Sequence, residues 1–437
     1  MKILMVSLGC DKNLCDSEAM LGKLHSAGHE ITNDEQEAEV VVINTCAFIK
    51  DAKQESINTI IEMAELKKTA NLKKLIVAGC LSQRYQDEIL EELPEIDVIL
   101  GSTNFDKILE AVGTDDTKII DSINYMPDTD NDRIVTTLAG MAYLKIAEGC
   151  GKMCTYCVIP YIRGKYRSVP MEKLLSQAEM LARDGVRELI LVAQETTLYG
   201  TDIYGKKKLP ELLRKLCEID GIEWIRLMYC YPEEITEELI DVMADCDKIC
   251  KYIDIPIQHS EDKILKRMGR RTTRKELVDL ITALRSRIPD IAIRTTLITG
   301  FPGETEEEHE SVCEFINDME FDRLGVFTYS PEEGTPAAAF EDQVPEDIAE
   351  GWRDEIMELQ QEISYDRNQS FVGKRLKVLI EGYLDDGDVY IGRSYRDAPS
   401  VDGMIFVHAD HELISGAFVD VDITEANEYD LIGDVAE

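Results

Sequence analysis

Cys150, Cys154 and Cys157 stand in the run Glu148-Gly149-Cys150-Gly151-Lys152-Met153-Cys154-Thr155-Tyr156-Cys157-Val158-Ile159-Pro160. A [4Fe–4S] cluster normally takes four thiolates, so three in one tight loop leave one iron without a protein ligand. An open iron implies chemistry on a small molecule rather than electron storage. The bland alternatives are a zinc knuckle or three buried thiols, and no fourth Cys or His lies nearby at a zinc-like spacing. A second set is dispersed: Cys10, Cys46 and Cys80 each follow a β-branched run, Lys2 to Leu8, Val40 to Asn44 and Lys74 to Ala78. In a doubly wound parallel sheet the carboxyl ends of the strands form one rim. The three thiols are therefore expected to converge on a second cluster, again with one free iron. Gly9 and Gly79 allow the backbone to turn tightly beside it. Cys15 falls in a helix expected to open around Leu14 and is not expected to be a ligand. Cys217, Cys230, Cys313 and the pair Cys246 and Cys250 read as buried core.

The elements that must position these thiols suggest an α/β chain of about three domains, as a length of 437 residues implies. Residues 1–112 alternate strands and amphipathic helices, with a weaker strand at Asp97 to Leu100, and read as a parallel α/β domain. Residues 113–139 turn polar and Asp-rich, including Pro127 to Asp132, and read as an exposed hairpin or connector. Residues 140–368 resume the alternation through six candidate strands: Ala142 to Ile146, Glu188 to Val192, Trp224 to Met228, Tyr252 to Ile255, Ala292 to Leu297 and Arg323 to Phe327. This suggests a partial (β/α)6 barrel whose functional face is the carboxyl end of its strands, joined by a helix over 346–370 to the last region of the chain. Residues 369–437 carry four candidate strands, Arg375 to Glu381, Asp388 to Arg393, Met404 to Val407 and Phe418 to Glu425, and suggest a small antiparallel β-barrel.

No apolar run approaches the ~20 residues that cross a membrane, and the first residues read as a strand rather than a signal peptide. A cytoplasmic location is expected, where twelve cysteines point to metal or catalysis more than to disulfides. The formal net charge of −39 opposes general attraction to nucleic acid and favours a basic protein partner. The last 68 residues share that bias, with five basic residues against fifteen acidic ones.

The cysteine loop and the rim segments Gln194-Glu195-Thr196-Thr197, Pro256-Ile257-Gln258-His259-Ser260 and Ile298-Thr299-Gly300 together resemble the radical S-adenosylmethionine (SAM) enzymes. All three regions together resemble the methylthiotransferases, with a terminal module of the TRAM type. Gly9-Cys10-Asp11-Lys12-Asn13 through Asp16-Ser17-Glu18 is similar to the ribosomal-protein branch, RimO, whereas the tRNA branch, MiaB, has Gln-Met in place of Asp11-Lys12. Glu195 stands where that branch usually has Asp, and Cys15 where it more commonly has Val. The resemblance implies two [4Fe–4S] clusters, on Cys150, Cys154 and Cys157 and on Cys10, Cys46 and Cys80. It implies SAM contacts at Tyr156, Gln194, Gln258, Arg270, Ile298 and Gly300. Arg270 or Arg271, in the basic group Lys263, Lys266, Arg267, Arg270, Arg271, Arg274 and Lys275, would neutralise a carboxylate; the plainer reading of that group is a solvated helix face. No base is assigned to His259. The implied reaction takes hydrogen from the β-carbon of an aspartate in protein S-twelve of the small ribosomal subunit, inserts sulfur at the second cluster and methylates it from a second SAM. An electron donor is required, a membrane is not, and tRNA is the disfavoured substrate. Rival readings are a tRNA methylthiotransferase and a noncatalytic iron–sulfur RNA-binding or assembly factor.

Overall fold

Val40–Thr45 is buried along its whole length, and so is Glu188–Val192. Continuous apolar strands of this kind belong to parallel sheets covered on both faces, and the chain builds two such sheets. The computed structural model describes residues 1–128, 133–384 and 387–436. The expected Asp-rich connector falls partly outside the described residues, at positions 129–132.

The first sheet contains β1 (Lys2–Ser7), β2 (Glu30–Ile31), β3 (Val40–Thr45), β4 (Lys74–Gly79), β5 (Val98–Gly101) and β6 (Lys118–Ile119), in the order β2-β1-β3-β4-β5-β6. All its pairings are parallel. The two-residue strands β2 and β6 were not expected, and β6 draws part of the supposed connector into the sheet. The same segment is tied down further on, where Arg133 donates to the buried carboxylate of Glu18. The described parts of this connector, on either side of positions 129–132, are thus tied to the amino-terminal domain through Lys118–Ile119 and Arg133.

The second sheet is built from β7 (Met141–Lys145), with a short antiparallel ladder of β8 (Ala147–Glu148) and β9 (Arg167–Ser168) beside it, then β10 (Glu188–Val192), β11 (Trp224–Leu227), β12 (Ile249–Gln258), β13 (Ala292–Thr299) and β14 (Arg323–Thr328). Its order, β14-β13-β12-β11-β10-β7, is six parallel strands in an open sheet. Capping boxes at Thr273 with Glu276, and at Thr305 with Glu308, start two of the covering helices sharply by satisfying the first free N–H groups. Cys217 and Cys246, expected as separate core residues, lie side by side, with their Cα atoms 7.2 Å apart. The helices Leu209–Cys217 and Glu237–Asp245 pack side by side and bring their carboxyl ends together, a pairing that spacing along the chain does not reveal.

The carboxyl-terminal module is a closed barrel of β15 (Arg375–Leu384), β16 (Val389–Arg393), β17 (Ile405–His408), β18 (Phe418–Ala426) and β19 (Leu431–Val435). Four strands were expected; β19 is the fifth. It pairs parallel to β17 and antiparallel to β18, so the barrel is not antiparallel throughout. The helix Glu346–Gln369 reaches the module from the central sheet.

This barrel plugs the amino-terminal ends of the central strands. Arg393 donates to Glu188 Oε2 at 2.7 Å and to Glu381 Oε1 at 2.5 Å, while Arg226 donates to Glu188 Oε1 at 2.7 Å. Glu188 is fully buried, and the flanking guanidinium groups overcome its desolvation and hold its carboxyl below the usual range. Arg393→Met should cost about 3–5 kcal/mol, because it leaves buried carboxylates short of a partner. Denaturant unfolding followed by far-UV circular dichroism should show the midpoint fall, and limited proteolysis should release the module first.

Candidate active site

The amino-terminal domain covers the opposite, carboxyl end of the central strands, which is where both cysteine sets lie. Cys10 is the N-cap of the helix Asp11–Ser26, which therefore opens directly after the thiol and not near Leu14. Cys80 is the first residue of the helix Cys80–Glu92. Helix amino ends present free N–H groups and favour negative charge, as a thiolate or an anionic cluster carries. Cys46 closes the set from the end of β3. A Cβ on Gly9 would lie 2.7 Å from Cys46 Cβ, and Gly9 itself has φ +85°, so only glycine allows the first and second cysteine segments to approach this closely. Cys10 is exposed, whereas Cys46 and Cys80 are buried. Burial pushes the Cys46 thiol up to about 12 and raises that of Cys80.

In the barrel loop Cys150 and Cys154 are buried and Cys157 is partly so. Burial pushes Cys150 up to about 11 and Cys157 higher still, each aided by a neighbouring thiol of the same loop. Such thiols stay protonated in the apoprotein, and iron would displace the protons. Among the described residues no three His, Cys, Asp or Glu side chains converge on a point that would suit one metal ion. The loop is fixed on both sides: Thr155 N–H donates to Met268 O at 2.9 Å, and Ala337 N–H to Thr155 O at 2.9 Å. Lys152, between the first two cysteines, is buried and held by Glu233 at 3.0 Å and by Glu234.

The rim around this loop carries polar atoms that are buried without a hydrogen-bond partner: Gln194 Oε1, Ser260 Oγ, Arg270 Nε and Nη1, Thr272 Oγ1, the Tyr329 hydroxyl and Glu195 Oε2, the last within ion-pair range of Lys152. Buried polar groups are normally satisfied, so a concentration of exceptions marks a place for a polar ligand. The donors and acceptors match an amino-acid headgroup with a ribose, so the residues present fit SAM. Arg270 is the inward member of the basic group. Its Nη2 donates to Pro256 O at 2.7 Å and its guanidinium lies 4.3 Å from the centre of the Tyr231 ring. Lys263, Arg267, Arg274 and Lys275 instead pair with Glu308, Asp342, Glu261 and Asp279, and Arg271 is exposed.

The other expected contacts divide. Gln194 Nε2 donates to Glu148 Oε1 at 2.9 Å, leaving its oxygen free. Gln258 ends β12 at φ +73°, an unusual conformation for a side chain of this kind, found where surroundings over-determine the backbone. Tyr156 and Ile298 flank the same apolar cluster around Phe301. Gly300, at φ +71°, faces Ala349, whose Cβ would collide with any Cβ placed on Gly300; this close packing against the helix Glu346–Gln369 is the visible demand on the glycine. His259 is buried and accepts Glu261 N–H at Nδ1, so its Nε2–H points to Glu304 Oε1 at 3.2 Å. That pairing anchors a loop.

Sequence reasoning missed the residues that join the two cysteine sites. Arg163 is buried, with Nη1 donating to Asp16 Oδ2 at 2.8 Å, to Glu148 Oε2 at 3.1 Å and to Ser102 O at 3.3 Å, and Nη2 to Asn13 Oδ1. Lys145 bonds Asp16 as well, and Glu148 at 3.0 Å. Burial works against the Glu148 charge, but Lys145 and Arg163 prevail and lower its carboxyl to about 2. The available signal was charge in an apolar context: Glu148 two residues before Cys150 and Arg163 six after Cys157. Nearby, the Lys12 ammonium sits 3.2 Å from the centre of the Tyr229 ring and pairs with Asp11 at 2.9 Å.

Comparison with known proteins agrees with this architecture. Family models match residues 2–101 (uncharacterized protein family UPF0004), 144–316 (radical SAM superfamily) and 372–436 (TRAM domain). The chain is similar to the ribosomal protein uS12 methylthiotransferase RimO of Lachnoclostridium phytofermentans, 60% identical over 99% of each chain. It is similar also to that of Acetivibrio thermocellus, 50% identical over 99% of this chain and 98% of the other. Among solved structures, the radical SAM methyltransferase TsrM from Kitasatospora setae shares the fold with a TM-score of 0.56 at 14% identity, over 87% of this chain and 78% of that one. Full-length identity at this level, with all three domains in order, places the chain in the RimO family of ribosomal protein uS12 methylthiotransferases.

Proposed function

We propose that this protein, whose relatives are named ribosomal protein uS12 methylthiotransferases, adds a methylthio group to uS12, at the β-carbon of an aspartate. The observation that carries the reading is the pair of three-thiol sites, one on each side of a single domain interface and joined by Arg163. The clusters and SAM, when bound, supply the radical, the sulfur and the methyl group. The chain's own residues bind and orient. Cys150, Cys154 and Cys157 hold one cluster and Cys10, Cys46 and Cys80 the other. Arg270 offers two free donors to the SAM carboxylate and Gln194 a free acceptor to its ammonium. Tyr156, Gln258, Ile298 and Gly300 complete the SAM surroundings. Lys152, shared by Glu233 and Glu234, fixes the cysteine loop against the segment that follows β11. Burial at the interface keeps water from the reacting centre. The reaction calls for an external electron donor and a cytoplasmic setting. No helix of the described residues is long and apolar enough to cross a membrane. The net charge of −39 suits a Lys/Arg-rich ribosomal protein better than tRNA.

Anaerobically reconstituted protein, given SAM and a reductant, should form 5′-deoxyadenosine and mass-label a uS12 aspartate; label in tRNA and not in uS12 would replace this reading with the tRNA one. Absence of 5′-deoxyadenosine would favour the noncatalytic reading. The triple variant Cys150→Ala, Cys154→Ala, Cys157→Ala should abolish SAM cleavage, whereas Cys10→Ala should retain cleavage and lose methylthio transfer.

Glu195 supplies a pH test. Burial pushes its carboxyl up to about 7, against the Thr197 hydroxyl and against Lys152, which stands 3.9 Å away and is already shared with two other carboxylates. A carboxyl raised on folding keeps its proton in the native state between about pH 4.5 and 7. Stability therefore falls as pH rises through that window, and the full cost, on the order of 3 kcal/mol, is present above it. Glu195→Gln should raise the denaturant midpoint at pH 8 and leave it nearly unchanged at pH 4.5.

A further inference from the structure

Asn13 touches every segment of the amino-terminal cysteine set. Its Nδ2 donates to Leu8 O at 3.1 Å, two residues before Cys10, and to Thr45 O at 2.9 Å, immediately before Cys46. Its Oδ1 lies 3.9 Å from Cys80 Sγ, in contact with the third cysteine. Its backbone carbonyl accepts from Asn44 Nδ2 at 2.8 Å. The side chain is buried, so these bonds have no water to replace them. One amide therefore sets the mutual register of three cysteines that are 36 and 34 residues apart in the chain.

An amide performs this role in only one of its two orientations. With the oxygen and nitrogen exchanged, both carbonyls would face an oxygen and lose their donor. The group that fixes the orientation comes from the other domain: Arg163 Nη2 donates to Asn13 Oδ1. Arg163 is itself held by Asp16 and by Glu148, whose other oxygen accepts from Gln194 on the SAM rim. The Asn13 oxygen that it bonds lies 3.9 Å from Cys80 Sγ, so the guanidinium stands beside the third cysteine.

We infer that Asn13 and Arg163 are positioning residues for the cluster on Cys10, Cys46 and Cys80: Asn13 registers the three ligands, and Arg163, reaching across from the barrel, locks the amide and places a fixed positive charge beside the cluster. The inference rests on the reading that these thiols hold a cluster, but not on the identity of the substrate. Fixed charge and hydrogen bonds near the sulfurs are among the levers that set a cluster's potential. A positive charge stabilises the reduced, more negative form. Removing it makes reduction harder.

The test uses the full-length protein reconstituted with iron and sulfide, and reads iron content, electron paramagnetic resonance and redox titration without any substrate. The wild type should carry about eight irons, four per cluster, and the Cys150→Ala, Cys154→Ala, Cys157→Ala variant identifies the signal of the amino-terminal cluster. Asn13→Ala should fall to about half the iron, losing that signal while continuing to cleave SAM to 5′-deoxyadenosine. Arg163→Lys, which keeps the charge, should retain the cluster with a small change in potential, whereas Arg163→Met should shift the potential clearly negative. The inference is overturned if Asn13→Ala keeps all its iron, or if it loses both clusters together, since Asn13 would then serve only the fold. It is overturned equally if Arg163→Met and Arg163→Lys titrate alike. A wild type holding only about four irons would instead refute the two-cluster reading itself, and methylthio transfer to the wrong substrate would leave the inference intact.

Discussion

Four buried charges hold the two cysteine sites at a fixed distance from each other. Lys145, Glu148 and Arg163 belong to the barrel and together carry one positive charge in excess, and Asp16 from the amino-terminal domain cancels it. Each of the four side chains is at most 8% exposed. Taking ions out of water costs several kcal/mol apiece unless they are paired with good geometry. Neither domain satisfies that condition alone: separation would leave Asp16 without cations and the barrel with an uncompensated one. The interface is thus specified by charge balance as well as by packing, and the cysteines that flank it inherit its rigidity. Ser102 adds a neutral bond to the same joint, donating to Ile162 O at 2.8 Å.

The opposite end of the central sheet is closed by a similar device, with Glu188 and Glu381 balanced by Arg226 and Arg393. The barrel is therefore clamped at both ends of its strands, by the first domain at the carboxyl ends and by the third at the amino ends. On the far edge, Glu332 beyond β14 binds Lys53 and Arg84 of the amino-terminal domain, each at 2.8 Å. An open six-stranded sheet has two free edges, and contacts at both β7 and β14 keep the cap from rocking about one of them. The arrangement suits a reaction in which two bound groups must face one substrate carbon, since small displacements of positioned groups are costly to rate.

The fold was legible where hydrophobic continuity did the work. The six central strands and β1, β3 and β4 of the amino-terminal domain were readable because parallel strands are buried on both faces and appear as unbroken apolar runs. The strands that escaped were those without such a run: β2 and β6 span two residues each, and β19 contains Gly433 and Asp434. The six cysteines were legible through chemistry and position, at the ends of strands or in one compact loop. The joint was not. Asp16, Glu148 and Arg163 are charged residues, which sequence reading assigns to the surface by default, and what buries them is pairing across as many as 147 positions. The basic group from Lys263 to Lys275 shows the converse. Composition makes it one patch, but the helix Asp262–Arg267 ends before Arg270, and the turn after it directs that side chain inward while its neighbours find carboxylates at the surface.

The terminal barrel belongs to a kind of module often associated with RNA, and its charge argues against that use here in a more specific way than a net count does. Recognition of a phosphate backbone requires cations that are free to neutralise phosphates. The module has five basic residues, and all are engaged. Arg393 and Arg396 are buried toward the central domain, on Glu188 and Asp322. Lys377 reaches across to Glu223, Arg375 pairs with Asp422 on the neighbouring strand, and Lys374 lies over the Phe371 ring. Four of the five basic residues thus pair with carboxylates, and among the acidic ones Asp397 and Asp402 turn inward to Arg323 and Arg294. A net acidic module repels nucleic acid at long range and attracts cationic protein segments, with a strength that salt screens. The docking of the module on the central domain follows from where Arg393, Arg396 and Lys377 are placed.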